Sequence, residues 1–179
     1  MRSMALLSGA AVMLLAVQPL TAQMPDGSAN RAAIERLAFM VGRWRGEAWM
    51  QRGTERVQTT MTETVEVKLG GTVLQVEGQG IAAGPGGTES RVVHHALAVV
   101  SFDAQAGGYG LRSYIASGQF GDFVLTLVPG GVSWSREVPG GRIRNTAQIA
   151  NGEWREIGEF SRDGATWTQI MEMHLRREP

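Results

Sequence analysis

Cysteine is missing from all 179 residues. That absence excludes disulfides, thiolate metal sites, a cysteine nucleophile and a lipid-modified cysteine at a signal cleavage site. Net charge is missing as well: 17 Lys and Arg balance 17 Asp and Glu, so no overall field draws nucleic acid or an anionic membrane. Histidine is scarce, with three in the chain, and none stands at zinc-binding spacing. His94 and His95 are neighbours in a strand pattern and therefore point to opposite faces, while His174 falls on the outward parity of the last strand beside Glu172 and Arg176. The residues themselves call for no metal and no cofactor. Catalytic signatures are lacking in the same way. The sequence has no G-x-S-x-G, no P-loop and no dinucleotide fingerprint, and Gly107-Gly108-Tyr109-Gly110 reads as a hairpin rather than a phosphate cradle.

What is present begins with a secretory layout. Met1-Arg2-Ser3-Met4 precedes an uncharged stretch from Ala5 to Val17, followed by Gln18-Pro19-Leu20-Thr21-Ala22. The expected cut is after Ala22, with Leu20 and Ala22 at the minus-three and minus-one positions. The apolar run is shorter than the ~20 residues a membrane-spanning helix needs, and no second run follows. Removing 22 of 179 residues leaves 157, enough for one domain with a sizeable core. The expectation is a periplasmic or secreted protein, free of the membrane after signal cleavage. Its organisation reads as signal peptide 1–22, flexible leader 23–29 and folded domain 30–179.

Ile34, Leu37, Ala38 and Val41 recur at helical spacing, with Asn30 placed as a cap and Gly42 as a stop. Beyond Gly42 the period becomes two. From Val57 to Leu69 the odd positions read Val, Thr, Met, Glu, Val, Val, Leu, which marks a strand with one buried face. Glycine pairs and Pro-Gly, Asn-Gly and Asp-Gly steps divide the remainder. About ten strands result, at 43–50, 55–69, 72–82, 90–102, 109–116, 121–128, 132–138, 142–149, 154–161 and 167–177. So long an antiparallel meander closes into an up-and-down barrel, because closure removes exposed edges.

The turns also predict which residues share the interior. A two-residue turn at Asn151-Gly152 pairs Ile149 with Trp154, Ala147 with Glu156 and Asn145 with Gly158. A turn at Asp163-Gly164 pairs Phe160 with Trp167 and Gly158 with Gln169; one at Gly130-Gly131 pairs Leu127 with Trp134 and Leu125 with Arg136. A four-residue loop from Pro139 to Arg142 sets Arg136 against Asn145. All four hairpins agree on one inward face. On that face Arg136, Asn145 and Gln169 form a polar row with Glu156 diagonal to it, Ser113 near Leu125 at one end, and Glu63, opposite Gly78, more distant. Two readings stand side by side. Arg136 and Glu156 form an internal ion pair completed by the amides, or the row is a polar floor that binds a ligand group, with Trp134, Trp154 and Phe160 as walls. A carboxylate pair could also be drawn from Glu63 and Glu156, although their separation is not fixed by the sequence. An acid/base role for Glu156 would need the raised pKa of an apolar pocket, which Arg136 would oppose.

The short helix leading into Gly42-Arg43-Trp44 resembles the G-x-W signature of lipocalins and other calycins. In those proteins the tryptophan closes the barrel bottom under an arginine from the last strand, a role the resemblance gives to Trp44 and Arg177. More closely, the chain is similar to an uncharacterised bacterial lipocalin-like family, domain of unknown function 1579. The stretches that carry this are Leu37 to Gly46, Ser101-Phe102-Asp103 with Tyr109, Glu159 to Gly164, and Met171-Glu172-Met173. The G-x-W-x-G spacing of Gly42, Trp44 and Gly46 is also similar to nitrobindin-like barrels, with Ala48 where those carry a third glycine. That likeness implies haem held by a histidine near the C-terminal strands, where His174 stands. Together these point to a barrel for a small apolar or amphipathic molecule, with an isomerase- or hydratase-like enzyme or a haem binder as alternatives.

Overall fold

The computed structural model describes residues 26–84 and 90–179. The expected signal peptide and cleavage point, and the turn assigned to Pro85-Gly86-Gly87, lie outside the described residues. Ten antiparallel strands form a closed barrel in which each pairs with the next and the last returns to the first. They are β1 (Gly42–Arg52), β2 (Glu55–Lys68), β3 (Val73–Ala83), β4 (Ser90–Asp103), β5 (Gly108–Ile115), β6 (Phe120–Val128), β7 (Gly131–Val138), β8 (Gly141–Ala150), β9 (Glu153–Ser161) and β10 (Thr168–Arg177). Closure runs through β1 and β10, from Trp44 opposite Arg177 to Met50 opposite Met171. The period-two pattern explains the geometry, since Met61, Glu63 and Val65 of β2 turn inward while the intervening positions face out.

One helix, α1 (Ser28–Glu35), covers an end of the barrel, and a turn of 3-10 helix at Ala38–Met40 leads into β1. The helix begins two residues before the expected cap. Gly27 occupies the cap position, and the Asp26 carboxylate accepts from the Ser28 backbone N–H at 3.0 Å, leaving Asn30 to donate to the Phe102 carbonyl at 2.6 Å. Ala33, Ile34 and Leu37 pack into the barrel end with Trp44, Val65, Leu74, Val100 and Leu175. Burying side chains such as Ile34 and Leu37 contributes about 1.5–3 kcal/mol each. A bond from the Tyr109 hydroxyl to the Ala33 carbonyl, 2.8 Å, fastens the helix to β5. The dense core therefore sits at the helix-covered end, and the other end is left for a cavity.

Three turns depart from the expected register. Asn151-Gly152 is a two-residue turn with both φ positive, 54° and 76°, and pairs Ile149 with Trp154, Ala147 with Glu156 and Asn145 with Gly158 as expected. The β6–β7 and β7–β8 turns instead fall on Pro129-Gly130 and Pro139-Gly140, with Val128 opposite Gly131 and Val138 opposite Gly141. Proline presets the first central residue and glycine supplies the positive φ of the second, so Pro-Gly outcompetes Gly-Gly as the turn centre. This slides β7 by two residues on each side. Trp134 lies opposite Leu125 and Asn145, and Arg136 opposite Ile143. Parity survives the slide, but height in the barrel does not.

The β9–β10 connection is longer than a two-residue turn. Asp163 Oδ1 accepts from the backbone N–H groups of Ala165 and Thr166, each at 2.8 Å, which organises a wider loop and holds its carboxyl down to about 2. Thr168, not Trp167, then faces Phe160, and a bulge between Gln169 and Met171 resets the pairing. Gln169 consequently points out of the barrel, where its amide donates to Glu172 Oε2 at 3.0 Å.

Candidate functional site

The closed end is built from Trp44. Its indole N–H donates to the Met40 carbonyl at 2.9 Å, and the Arg177 guanidinium lies 4.1 Å from its ring centroid. Arg177 also donates to the carbonyls of Phe39, at 2.8 Å, and of Val41. The guanidinium thereby ties the 3-10 turn to the last strand. Gly42, at φ 137°, leaves the room this arginine occupies. On the inner side Trp154 meets Trp44 edge-on, with centroids 5.6 Å apart.

Above this plug lies a cavity of about 940 Å³, whose lining runs from Met40 at the closed end to Gln119 and the exposed Phe120 at the far end. Its walls are mostly aliphatic, thioether and aromatic. Trp134, Asn145 and Ser113 line it, as expected, although Ser113 faces Gly121 rather than lying beside Leu125. Phe160 is not among the lining residues. Its ring packs over Gly141 instead. His94 faces the cavity and His95 faces outward, where its ring contacts Glu77 at 3.0 Å. Burial, reinforced by the neighbouring His95, lowers the His94 pKa. His174 is on the outside, 2.8 Å from Glu172.

The expected polar row is therefore divided. Asn145 shares its rung with Trp134 and Gly158, and the next strand contributes Met171 where Gln169 was expected. Arg136 is exposed near the mouth, its guanidinium 5.9 Å from the Phe123 ring centroid. No ion pair joins it to Glu156. The internal Arg136–Glu156 bridge is overturned by the two-residue slide of β7.

The two buried acids that line the cavity are Glu63 and Glu156. Glu63 stands directly opposite the plug residue Trp44 on one side and Gly78 on the other. Glu156 follows Trp154 on the inward face of β9. Both are more than nine-tenths buried, at 8% and 7% exposure. Loss of water pushes Glu63 up to about 8, with the Glu156 charge adding to the shift. The same loss pushes Glu156 up to about 7. The Trp154 indole N–H is directed toward Glu156 and offsets part of that rise, yet it makes no hydrogen bond of regular geometry, and Glu63 Oε2 has no partner at all. Glu63 was legible as an inward residue from the odd-position pattern of β2. The sequence could pair it with Glu156 but not place the two in one cavity, because that depends on barrel closure, which no local pattern encodes.

No protein-family model and no curated protein matches the sequence. Among solved structures, the crystal structure of Rv2717c from M. tuberculosis matches with a TM-score of 0.60 at 13% identity, covering 82% of this chain and 98% of its own. A protein of unknown function from the DUF3598 family of Nostoc punctiforme covers 81% of this chain and 98% of its own at 8% identity, with a TM-score of 0.23. The likeness to Rv2717c shows the fold alone.

Proposed function

We propose that this barrel binds a small apolar or amphipathic molecule, in a protein exported to the periplasm or secreted, and that it is a relative of the domain-of-unknown-function 1579 lipocalin-like proteins. The observation that carries the binding reading is the cavity itself: about 940 Å³ of mainly apolar lining that ends on buried polar atoms without partners, Glu63 Oε2 and Trp154 Nε1. An apolar pocket with a few convergent polar groups is the usual form of a small-molecule site. Buried polar groups left unpaired are costly, and a ligand head group supplies the missing partner. Native mass spectrometry of the purified protein tests this. A retained small molecule released on denaturation is the expected result; an empty barrel that also takes up no fatty acid, alcohol or amine probe overturns it.

A second reading is favoured by the carboxyl pair. Two carboxyls whose pKa values lie near neutrality, in a water-poor pocket, form the acid/base arrangement an isomerase or hydratase would use. Glu156, the more acidic, would act as base and Glu63 as acid. Turnover of the retained molecule, lost in Glu156→Gln with binding preserved, would distinguish this from simple binding. Haem does not fit by the route that the nitrobindin likeness implies. His174 points away from the cavity and contacts Glu172, so it cannot reach a haem held inside the barrel.

A further inference from the structure

Burying a carboxyl group without a cation destabilises a fold, and this barrel does so twice at one end of one cavity. The residues flanking Glu63 on the inward face of β2 are Met61 and Val65, and those flanking Glu156 on β9 are Trp154 and Gly158. None of these supplies a charge. Opposite Glu63, Gly78 has no side chain, and a Cβ there would lie 2.8 Å from the Glu63 carboxyl carbon. Room is kept for the acid rather than closed over it.

The other titratable groups that reach the cavity are Arg52 from β1, His94 from β4 and Arg136 from β7; β3, β5, β6, β8 and β10 contribute none to its lining. Arg52 ends β1 at the mouth and donates to the Val93 carbonyl at 3.3 Å. Arg136 is exposed against Phe123. Arg177 lies beyond the Trp44 plug, engaged by the Phe39 and Val41 carbonyls. Among the described residues, no ion pair involves either Glu63 or Glu156. The floor thus lacks a positive charge that carries N–H donors.

We infer that the cavity takes an alkylamine bound as its ammonium ion, with the nitrogen between Glu63 and Glu156 and the hydrocarbon chain running along the apolar walls toward the mouth. This rests on the reading of the cavity as a ligand site. A primary ammonium brings three donors and one positive charge, which matches two carboxyl groups and the unpartnered Oε2. An alcohol brings one donor and leaves the charge unanswered; a carboxylate would add a third acid to the floor. The indole N–H of Trp154 is directed toward Glu156 without a regular hydrogen bond and favours the ionised form of that carboxyl, so it is left to the carboxylate rather than to the ammonium.

The ligand class has a pH signature. In the free protein both carboxyls hold protons below neutrality, because burial raises them to about 8 and about 7. Binding an ammonium at pH 6 must therefore expel a proton, and amine affinity rises with pH by about tenfold per unit for each proton released. A neutral ligand shows no such gain.

Isothermal titration calorimetry of the intact protein with n-octylamine, 1-octanol and octanoate, at pH 6, 7 and 8 and in two buffers of different ionisation heat, tests the inference. Octylamine is expected to bind at least about tenfold more tightly than octanol at pH 8, with affinity rising from pH 6 to 7 and a proton released to the buffer. Glu63→Gln and Glu156→Gln should each weaken octylamine by about tenfold or more and flatten its pH profile. Tryptophan fluorescence confirms that each variant is folded; should one not fold, the other and the wild-type pH profile carry the test. Octanol or octanoate binding as tightly as octylamine overturns the amine while leaving the cavity as a ligand site. Failure of all three to bind overturns both.

Discussion

Glu63 on β2 faces Gly78 on β3, and the Glu63 carboxyl occupies the volume a side chain at that position would fill, with Oε2 2.7 Å from an ideal Cβ. The pair is coupled through space rather than through a bond. Gly78→Ala must displace the carboxyl, at a cost of about 1–3 kcal/mol for overpacking a filled site. In a Glu63→Ala background the three atoms nearest that Cβ are gone and the change removes backbone freedom from the unfolded chain, so it is expected to become neutral or stabilising by about 0.4–1 kcal/mol. Urea unfolding of the two single variants and the double variant measures the coupling. Additive effects would mean that the two positions do not share this space.

The buried acids set the pH dependence of stability. Glu63 and Glu156 are raised from their ordinary 4.5 to about 8 and about 7, so the folded state holds protons that the unfolded chain has released. Their favourable contribution is fully present below pH 4.5 and is lost as pH rises through the folded values. Glu172, held down to about 2 by Arg155, His174 and Gln169, acts in the opposite sense and only in strong acid. Unfolding free energy is therefore expected to fall between pH 5 and 8, on the order of a few kcal/mol. Glu63→Gln should remove much of that slope. A profile that rises over this interval would place both carboxyls in water.

Much of this was legible in the chain. The helix before Gly42, the ten strands and the Asn151-Gly152 hairpin follow from local patterns, because each depends on residues close in sequence or on parity alone, whereas the plug formed by Trp44 and Arg177 came from the resemblance to lipocalins. The site was harder to read, since its register depends on choices between competing turns. Choosing Gly130-Gly131 over Pro129-Gly130 keeps Arg136 on the inward face yet lowers it by two residues, from the mouth to the floor. The bulge before Met171 has a stronger effect. One extra residue reverses parity, which turned Gln169 outward and placed Met171 beside Gly158. Nothing near residue 169 announces that bulge; it follows from the wide loop that Asp163 organises.

The Trp44 plug predicts two separable losses. Trp44→Phe keeps an aromatic ring but shrinks a fully buried side chain and leaves the Met40 carbonyl without its donor, the latter at an expected cost of about 1–3 kcal/mol. Arg177→Lys keeps the charge, yet a single ammonium cannot stack on the indole while reaching both the Phe39 and Val41 carbonyls. Hydrogen exchange in the turn Ala38–Met40 should therefore accelerate in Arg177→Lys more than in Trp44→Phe. Equal exchange in the two variants would show that the arginine serves only as a counter-charge.

Arg136 and Glu63 make opposite predictions for ligand retention, and the comparison separates mouth from floor. Arg136 is exposed and stacked near Phe123, so Arg136→Ala removes a rim contact worth about 0.5–1 kcal/mol and leaves the load seen by native mass spectrometry within a few-fold of wild type. Glu63→Gln changes a group more than nine-tenths buried at the closed end, where the surroundings are poor in water and a lost charge-assisted hydrogen bond costs about 1.5–3 kcal/mol. Its load should fall by about tenfold or more. Gln169→Ala, on the outer face beside Glu172, should leave the load unchanged. If Arg136→Ala empties the barrel while Glu63→Gln does not, the ligand is held at the mouth by its polar group, and the buried carboxyls serve another purpose.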